Sequence, residues 1–359
     1  MAIQQSEDDM EGILQIKNFA QINLSDPFFD SLKQDYTEFE RWFSAHPERT
    51  AYTYYNADGS LCAFLCLKIE KGPIEDLQPV LKCNNATKIC TLKIDAHHTK
   101  LGERFLKKAL DYAVSNNTAF CYVTLFDKQQ GLLSLFGNYG FEQYGTKVTP
   151  NGTEIVLLKN LGINTGNCMY DYPRIDTNGH NKYLLAIKPE WHTKLFPDSI
   201  LNNESISMLE DVSHTNSIQK VYVCAMRGLA SVRAGDLIVI YRSSDEQGRA
   251  FYRAVVTSVC TVIECRSSTS FGNFNEFYEY ANQYSVFDES GLRYWFNKPG
   301  CFVIKMLYNA AFLKRLTNGM LIERFGFNPA DYWGFRQMTD EQFNAILSTG
   351  GVNESLIIR

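Results

Sequence analysis

The residues best spaced to do chemistry are His97, His98, Thr99, Lys100 and Gly102. They form a polar turn between an apolar run ending at Asp95 and an amphipathic stretch from Lys100 to Ser115. The first turn of any helix leaves about four main-chain N–H groups without intrahelical partners, and the helix dipole favours negative charge there. A strand, a short polar turn and a helix in this order therefore make an anion-binding arrangement that suits a pyrophosphate. Lys100 and Arg104 add direct positive charge, which Glu103 opposes. His97 and His98 would touch phosphate or act as bases. Adjacent residues rarely point at one ion and no third ligand is evident, so the pair does not read as a metal site.

The elements that must position this turn follow from hydrophobic period and punctuation. Gly12 to Asn23 reads as a strand, and Asp26 as the N-cap of a helix reaching Tyr36. Thr37 with Glu40 has the spacing of a capping box, ahead of the apolar face Phe39, Trp42 and Phe43. Ala51 to Asn56 and Ser60 to Glu70, joined by Asn56-Ala57-Asp58-Gly59, predict an antiparallel hairpin. Lys88 to Asp95 is the next strand. In the helix from Lys100 to Ser115, residues Leu101, Phe105, Leu106, Ala109, Leu110, Tyr112 and Ala113 recur at helical spacing. Ala119 to Phe126 is a buried-type strand, Leu132 to Tyr139 a short helix stopped by Gly140, and Phe141 to Lys147 and Thr153 to Leu158 are two final strands.

Residues 162–182 lose this pattern and read as a linker between a domain at 1–161 and another at 183–359. The second half is strand-rich, with runs at Tyr183–Ile187, Val221–Ala225, Leu237–Tyr241, Tyr252–Val262 and Cys301–Tyr308. Helical pieces are predicted at Glu276–Gln283 and Ala310–Leu316, and Thr339 would cap a helix to Leu347. A length of 359 residues suits two cores rather than one. The net charge of −5 gives no whole-molecule attraction to nucleic acid or to an acidic membrane. The polar, acidic opening from Met1 to Asp9 and the lack of a membrane-length apolar run predict a cytoplasmic protein. Ten cysteines without a CxxC pair predict reduced, buried thiols and no zinc site.

Three stretches resemble the GNAT superfamily of acetyl-coenzyme-A-dependent N-acetyltransferases. Ala51–Glu70 (AYTYYNADGSLCAFLCLKIE) is similar to its central hairpin, Leu92–Leu106 (LKIDAHHTKLGERFL) to its pantetheine strand and pyrophosphate turn, and Leu132–Phe141 (LLSLFGNYGF) to its fourth helix. The resemblance implies an α+β fold over roughly Gly12 to Leu161, acetyl-CoA as co-substrate and an amine as acceptor. It implies cofactor contacts from Ile94, His97, His98, Thr99, Lys100, Leu101, Gly102, Glu103 and Arg104, and oxyanion donors from the Lys93–Asp95 main chain. An amine with a pKa near 10.4 costs about 4–5 kcal/mol to deprotonate at pH 7, so a carboxylate is wanted. Glu70 is the first candidate and Asp95 the second. Three positions depart from the family pattern, the first being His97, where the turn has arginine or glutamine. Lys100 stands where the turn has a glycine, at a cost of about 1–2 kcal/mol if φ is positive there. Phe136 stands where a tyrosine often protonates the coenzyme A thiolate; Tyr139 and Tyr144 are nearby, and Tyr139 is the candidate carried forward.

Ile218 to Val262 resembles the PUA-like barrels, the group that includes EVE and ASCH domains, with Gly235-Asp236 before a strand ending at Tyr241. The resemblance implies a mostly-β barrel with a C-terminal helix that holds RNA or a modified nucleotide. Tyr241, Trp295 and Trp333 are the candidate stacking residues and Arg242 the phosphate contact. Two functions stay open: an N-acetyltransferase whose second domain selects the substrate, and a nucleic-acid-binding protein that keeps a degenerate transferase scaffold.

Overall fold

In the computed structural model, which describes residues 14–56, 58–95, 98–199, 213–245 and 248–359, contacts divide the chain after Ile163. The first unit runs β1 (Leu14–Asn18), α1 (Asp30–Asp35), α2 (Phe39–Ser44), β2 (Thr50–Tyr55), β3 (Leu61–Lys71), β4 (Asn85–Ile94), α3 (Leu101–Ser115), β5 (Phe120–Leu125), α4 (Gln130–Asn138), β6 (Glu142–Thr149) and β7 (Gly152–Asn160). Its seven strands lie in the order β1-β2-β3-β4-β5-β7-β6. Neighbours are antiparallel except β4 and β5, which α3 connects as a parallel crossover.

Helix α3 forms where its period predicts, with Leu101, Phe105, Leu106, Ala109, Leu110 and Ala113 all buried. Packing of this stripe, more than helix propensity, fixes the element. An aromatic cluster of Phe19, Phe28, Phe29, Phe39, Phe43 and Phe64 seats α1 and α2 on the sheet. The caps differ from expectation. Asp26 Oδ1 accepts from Phe28 N at 2.8 Å, but the turn it opens is a 3-10 turn, Pro27–Phe29, and α1 follows it. Thr37 does not cap α2, which starts at Phe39 without a side-chain cap; its hydroxyl bonds Asn151 instead. The expected first strand is shorter, ending at Asn18, and Gly12 lies outside the described residues.

The segment 72–84 between β3 and β4 had no expected role. It buries Ile74, Leu77 and Leu81 against Ala86, Tyr122 and Val156. It then reaches β6, where Gln78 and Thr146 exchange main-chain N–H···O bonds of 2.8 Å each. Gly145 permits that approach, since a Cβ there would lie 2.1 Å from the Gln78 carbonyl oxygen.

The second unit is mixed, with about as much helix as strand, where a mostly-β domain was expected. It runs α5 (Cys168–Asp171), β8 (Ile175–Asp176), β9 (Lys182–Ile187), α6 (Pro189–Leu195), α7 (Ser213–Asn216), β10 (Gln219–Cys224), β11 (Leu237–Arg242), α8 (Ala250–Arg253), β12 (Val255–Ser267), α9 (Phe274–Ala281), α10 (Glu289–Phe296), β13 (Phe302–Thr317), α11 (Asn318–Phe325), β14 (Phe335–Met338), α12 (Asp340–Gly350) and β15 (Ile357–Ile358). Six strands form one mixed sheet, β10-β13-β12-β11-β9-β14, around a core that includes Leu185, Ile238, Ile240, Val262, Ile304 and Tyr308. Thr339 caps α12 as expected, accepting from Gln342 N at 3.2 Å.

Three further expectations for this half are corrected. Of residues 162–182, read as linker, those from Asn164 belong to the unit: the Tyr172 hydroxyl donates to Tyr308 O at 3.0 Å, and Asn309 Nδ2 donates to the carbonyls of Pro173 and Arg174, each at 3.1 Å. Ala310–Leu316 is strand, not helix, because Val259, Ser258 and Val256 of β12 pair with Ala310, Ala311 and Leu316. Tyr252 lies in the short helix α8, and the strand begins at Val255. No helix among the described residues is long and apolar enough to cross a membrane.

Candidate functional site

The parallel pair β4–β5 is joined only over Thr87–Cys121, Lys88–Tyr122 and Ile89–Val123 among the described residues. Beyond Ile89 the two strands form a fork. At the same point β4 bulges against β3: Cys66 is opposite Thr91 and Leu67 opposite Ile89, so Cys90 is the extra residue. Such bulges re-aim side chains and end pairing beside functional sites. Main-chain polar groups on the open side of the fork need partners, so a ligand bearing amides can complete the ladder there.

A cleft of about 300 Å³ occupies the fork. Cys90, Thr91 and Leu92 line it from β4 and Val123 to Leu125 from β5. Tyr36, Phe39 and Trp42 wall it on one side and Lys147, Thr149 and Glu154 on another. Arg49, Lys68 and Lys88 add positive charge, and Glu38 and Glu154 negative charge. The Tyr36 hydroxyl donates to Glu154 Oε1 at 2.7 Å. Burial, with Glu154 adding to it, pushes the Tyr36 phenol far above its ordinary value, so it remains a donor. Glu154 is only 3% exposed. Neither residue carries a motif. The signal that would have found them is the last-strand hairpin folding back over the fork, which no local pattern in the sequence reveals.

The expected catalytic residues do not converge on this cleft. Glu70 is opposite Ala86, on the closed side of the fork, and is bound by Lys68, Lys88 and Tyr122. Burial alone would raise its pKa, but the hydrogen bonds from Lys68 and Tyr122 and the Lys88 charge bring it below the usual carboxylate value. It is paired with two lysines of the cleft and is a poor proton acceptor. Asp95 ends the open strand, and its N–H is spent on Cys62 O at 2.9 Å, so that amide is not an oxyanion donor. Tyr139 is 1% exposed and donates to Glu103 Oε2 at 2.8 Å, tying α4 to α3 away from the cleft.

The head of α3 is the turn expected to hold an anion. Lys100 is left-handed at φ 61°, ψ 18°, as a glycine at that position would be, and His98 is also left-handed at φ 58°. The amides of Leu101 and Gly102 find no acceptor among the described residues, as a first turn requires. Gly102 sits where a Cβ would come 3.1 Å from Leu135 of α4 and 3.9 Å from Ile94. Glu103 is buried and accepts from the Tyr139 hydroxyl. Arg104 is also buried, with its guanidinium 5.8 Å from the Tyr54 ring centre. Thr99 is half-buried and His98 exposed, while His97 lies outside the described residues.

In the second unit a cavity of about 410 Å³ is lined by Ala186, Tyr241, Ser243, Asn318, Trp333 and Gly334, among others. The Tyr241 hydroxyl accepts from Asn318 Nδ2 at 2.9 Å. Burial pushes its pKa up to about 12 although that hydrogen bond opposes. Tyr241 and Trp333 lie 5.5 Å apart by ring centres, and Trp333 also stacks on Phe327. The other two candidates are elsewhere. Arg242, next along β11, is buried within range of His192, on which its charge acts. Trp295 on α10 packs against Phe287 and Tyr294.

No protein-family model and no curated protein matches the chain. Similar solved structures include FeeM, an N-acyl amino acid synthase from uncultured soil microbes, at 13% identity over 41% of this chain and 94% of that one, with a TM-score of 0.31. Chaetomium thermophilum Naa20 in complex with a bisubstrate analogue is similar at 11% identity over 44% of this chain and 88% of its own, TM-score 0.32. The ASCH protein of Zymomonas mobilis is similar at 12% identity over 46% of this chain and 94% of its own, TM-score 0.31.

Proposed function

We propose that the first unit is an N-acyltransferase that moves an acetyl group from acetyl-coenzyme A to an amine. The fork past Ile89 and Val123 carries the reading, because it offers an amide-bearing arm a strand to pair with and opens onto a cleft. The left-handed Lys100 and the outward amides of Leu101 and Gly102 suit a pyrophosphate at the far end of that arm. The resemblance of Ala51–Glu70, Leu92–Leu106 and Leu132–Phe141 to the GNAT pattern agrees with both. Glu154 replaces Glu70 as the proton acceptor for the amine, since it lines the cleft and Tyr36 orients it. The second unit binds a planar aromatic ligand of nucleobase type against Tyr241 and Trp333, with Asn318, Ser243 and Ser244 for its polar edge.

Isothermal titration of the full chain with acetyl-coenzyme A tests the first assignment. Saturable binding is expected. Absence of binding at millimolar ligand overturns it.

A further inference from the structure

Two thiols and three cations meet at the vertex of the fork. Cys90 is the first residue of β4 past the last pair with β5, and the bulge places it on the cleft wall, while Cys66 behind it is fully buried. Arg49, Lys68 and Lys88 line the same cleft and bring their charges to Cys90, whose Sγ lies 3.9 Å from the Lys88 carbonyl oxygen. The neighbouring Cys66 thiol comes first among the effects that hold the Cys90 thiol below its ordinary value. Burial opposes it, and the three cations reinforce it. Cys66 is pushed up by the neighbouring Cys90 and by burial, so it keeps its proton. The buried thiol of Cys121, with no such surroundings, is pushed up to about 12.

The geometry points to Cys90 as a nucleophile that takes the acyl group onto its own sulfur before the amine reacts. This rests on the acyl-coenzyme A reading of the cleft. In the first step the Cys90 thiolate forms a bond to the acyl carbon, the carbon–sulfur bond to coenzyme A breaks, and coenzyme A leaves as a thiolate. One thioester replaces another and one thiolate replaces another, so no side-chain acid is required on the leaving sulfur. That matches a chain in which position 136 is Phe136, buried and without a hydroxyl. In the second step the neutral amine attacks the acyl carbon and the bond to Cys90 breaks. Cys90 returns to the thiolate state that Cys66, Arg49, Lys68 and Lys88 stabilise, and the proton lost from the amine passes to Glu154.

The test is incubation of the full chain with acetyl-coenzyme A and no acceptor, followed by acid quench, intact-mass measurement and peptide mapping. One acetyl group is expected on the Cys90 peptide, released by hydroxylamine as a thioester is. Cys90→Ser should lose the hydroxylamine-labile label while binding acetyl-coenzyme A within a few-fold of the parent by calorimetry. Cys66→Ser should keep the label and form it several-fold more slowly. Acetyl-coenzyme A should also slow alkylation of Cys90 by iodoacetamide in the unlabelled parent. A parent chain that binds acetyl-coenzyme A but acquires no label on Cys90 overturns this proposal and leaves the transferase reading standing. A chain that does not bind acetyl-coenzyme A at all overturns both.

Discussion

Replacing Lys100 with glycine should stabilise the protein. The lysine is held at φ 61°, ψ 18°, in the left-handed region where the Cβ of an L-residue crowds the following carbonyl. That conformation costs about 1–2 kcal/mol, which glycine does not incur. Glycine also loosens the unfolded chain, which takes back about 0.4–1 kcal/mol. The net gain should be about 0.5–1 kcal/mol. Urea unfolding followed by circular dichroism reads it as a higher midpoint at unchanged slope. Two controls sharpen the measurement. Asn117, at φ 51°, is of a residue type that tolerates this region, so Asn117→Gly should gain less. Lys100→Val, whose branched Cβ is excluded there, should lose stability outright. Acetyl-coenzyme A affinity should survive Lys100→Gly, since the Leu101 and Gly102 amides keep their direction. A loss of stability in Lys100→Gly as large as that in Lys100→Val would refute the backbone argument and show that the lysine side chain holds the turn.

Other perturbations separate structural from functional residues. Tyr139→Phe should cost about 1–3 kcal/mol, because it leaves the buried Glu103 carboxylate without its O–H donor; it should leave the pH profile of acetyl transfer unchanged, and an altered profile would return Tyr139 to the chemistry. Trp333→Ala should weaken binding of a fluorescent single-stranded RNA by about 1–3 kcal/mol, on the order of ten- to a hundredfold, and equal affinity in a fluorescence titration would remove the pocket from recognition. The pKa of His192 is pushed down to about 3 by burial, then by Arg242 and Arg315, and that of His214 down to about 4 by burial, then by Lys220 and Lys194. Both are neutral in the folded chain and bind protons more readily unfolded, so their contribution to stability is full above about pH 6.5 and falls as pH drops toward 4, by up to about 1.4 kcal/mol per unit for each. Melting temperatures measured from pH 7 to pH 4.5 should decline, and should decline less in His192→Asn relative to its own value at pH 7.

Much of the first unit was legible because its signals are local. The α3 stripe, the β2–β3 hairpin turn and the Gly140 stop each lie within one window of residues. The positive φ at Lys100 was legible too, since the turn pattern calls for glycine there. What stayed hidden depends on register. The Cys90 bulge and the fork past Ile89 change no residue type, only which partner a residue faces. Ala310–Leu316 has helix-forming composition, and β12 overrides it by pairing. Glu70 looked like a base because it ends a strand, but three neighbours brought by β4 and β5 already occupy its oxygens. Tyr241 and Trp333, 92 positions apart by residue number, share a cavity, whereas Arg242 follows Tyr241 along β11 and the alternation of a strand sends it to the other side.

The contact between Gln78 and Thr146 has a consequence for how this protein behaves in company. A terminal strand with free main-chain groups invites a second chain to continue the ladder. Here the segment leaving β3 crosses the sheet and fastens onto β6 from the outside, with both bonds of the pair made. A newcomer would have to unlatch Gln78 and expose Ile74, Leu77 and Leu81 before it could dock along that margin. The chain thus guards its own border with a loop, and a side chain at position 145 would force that guard open.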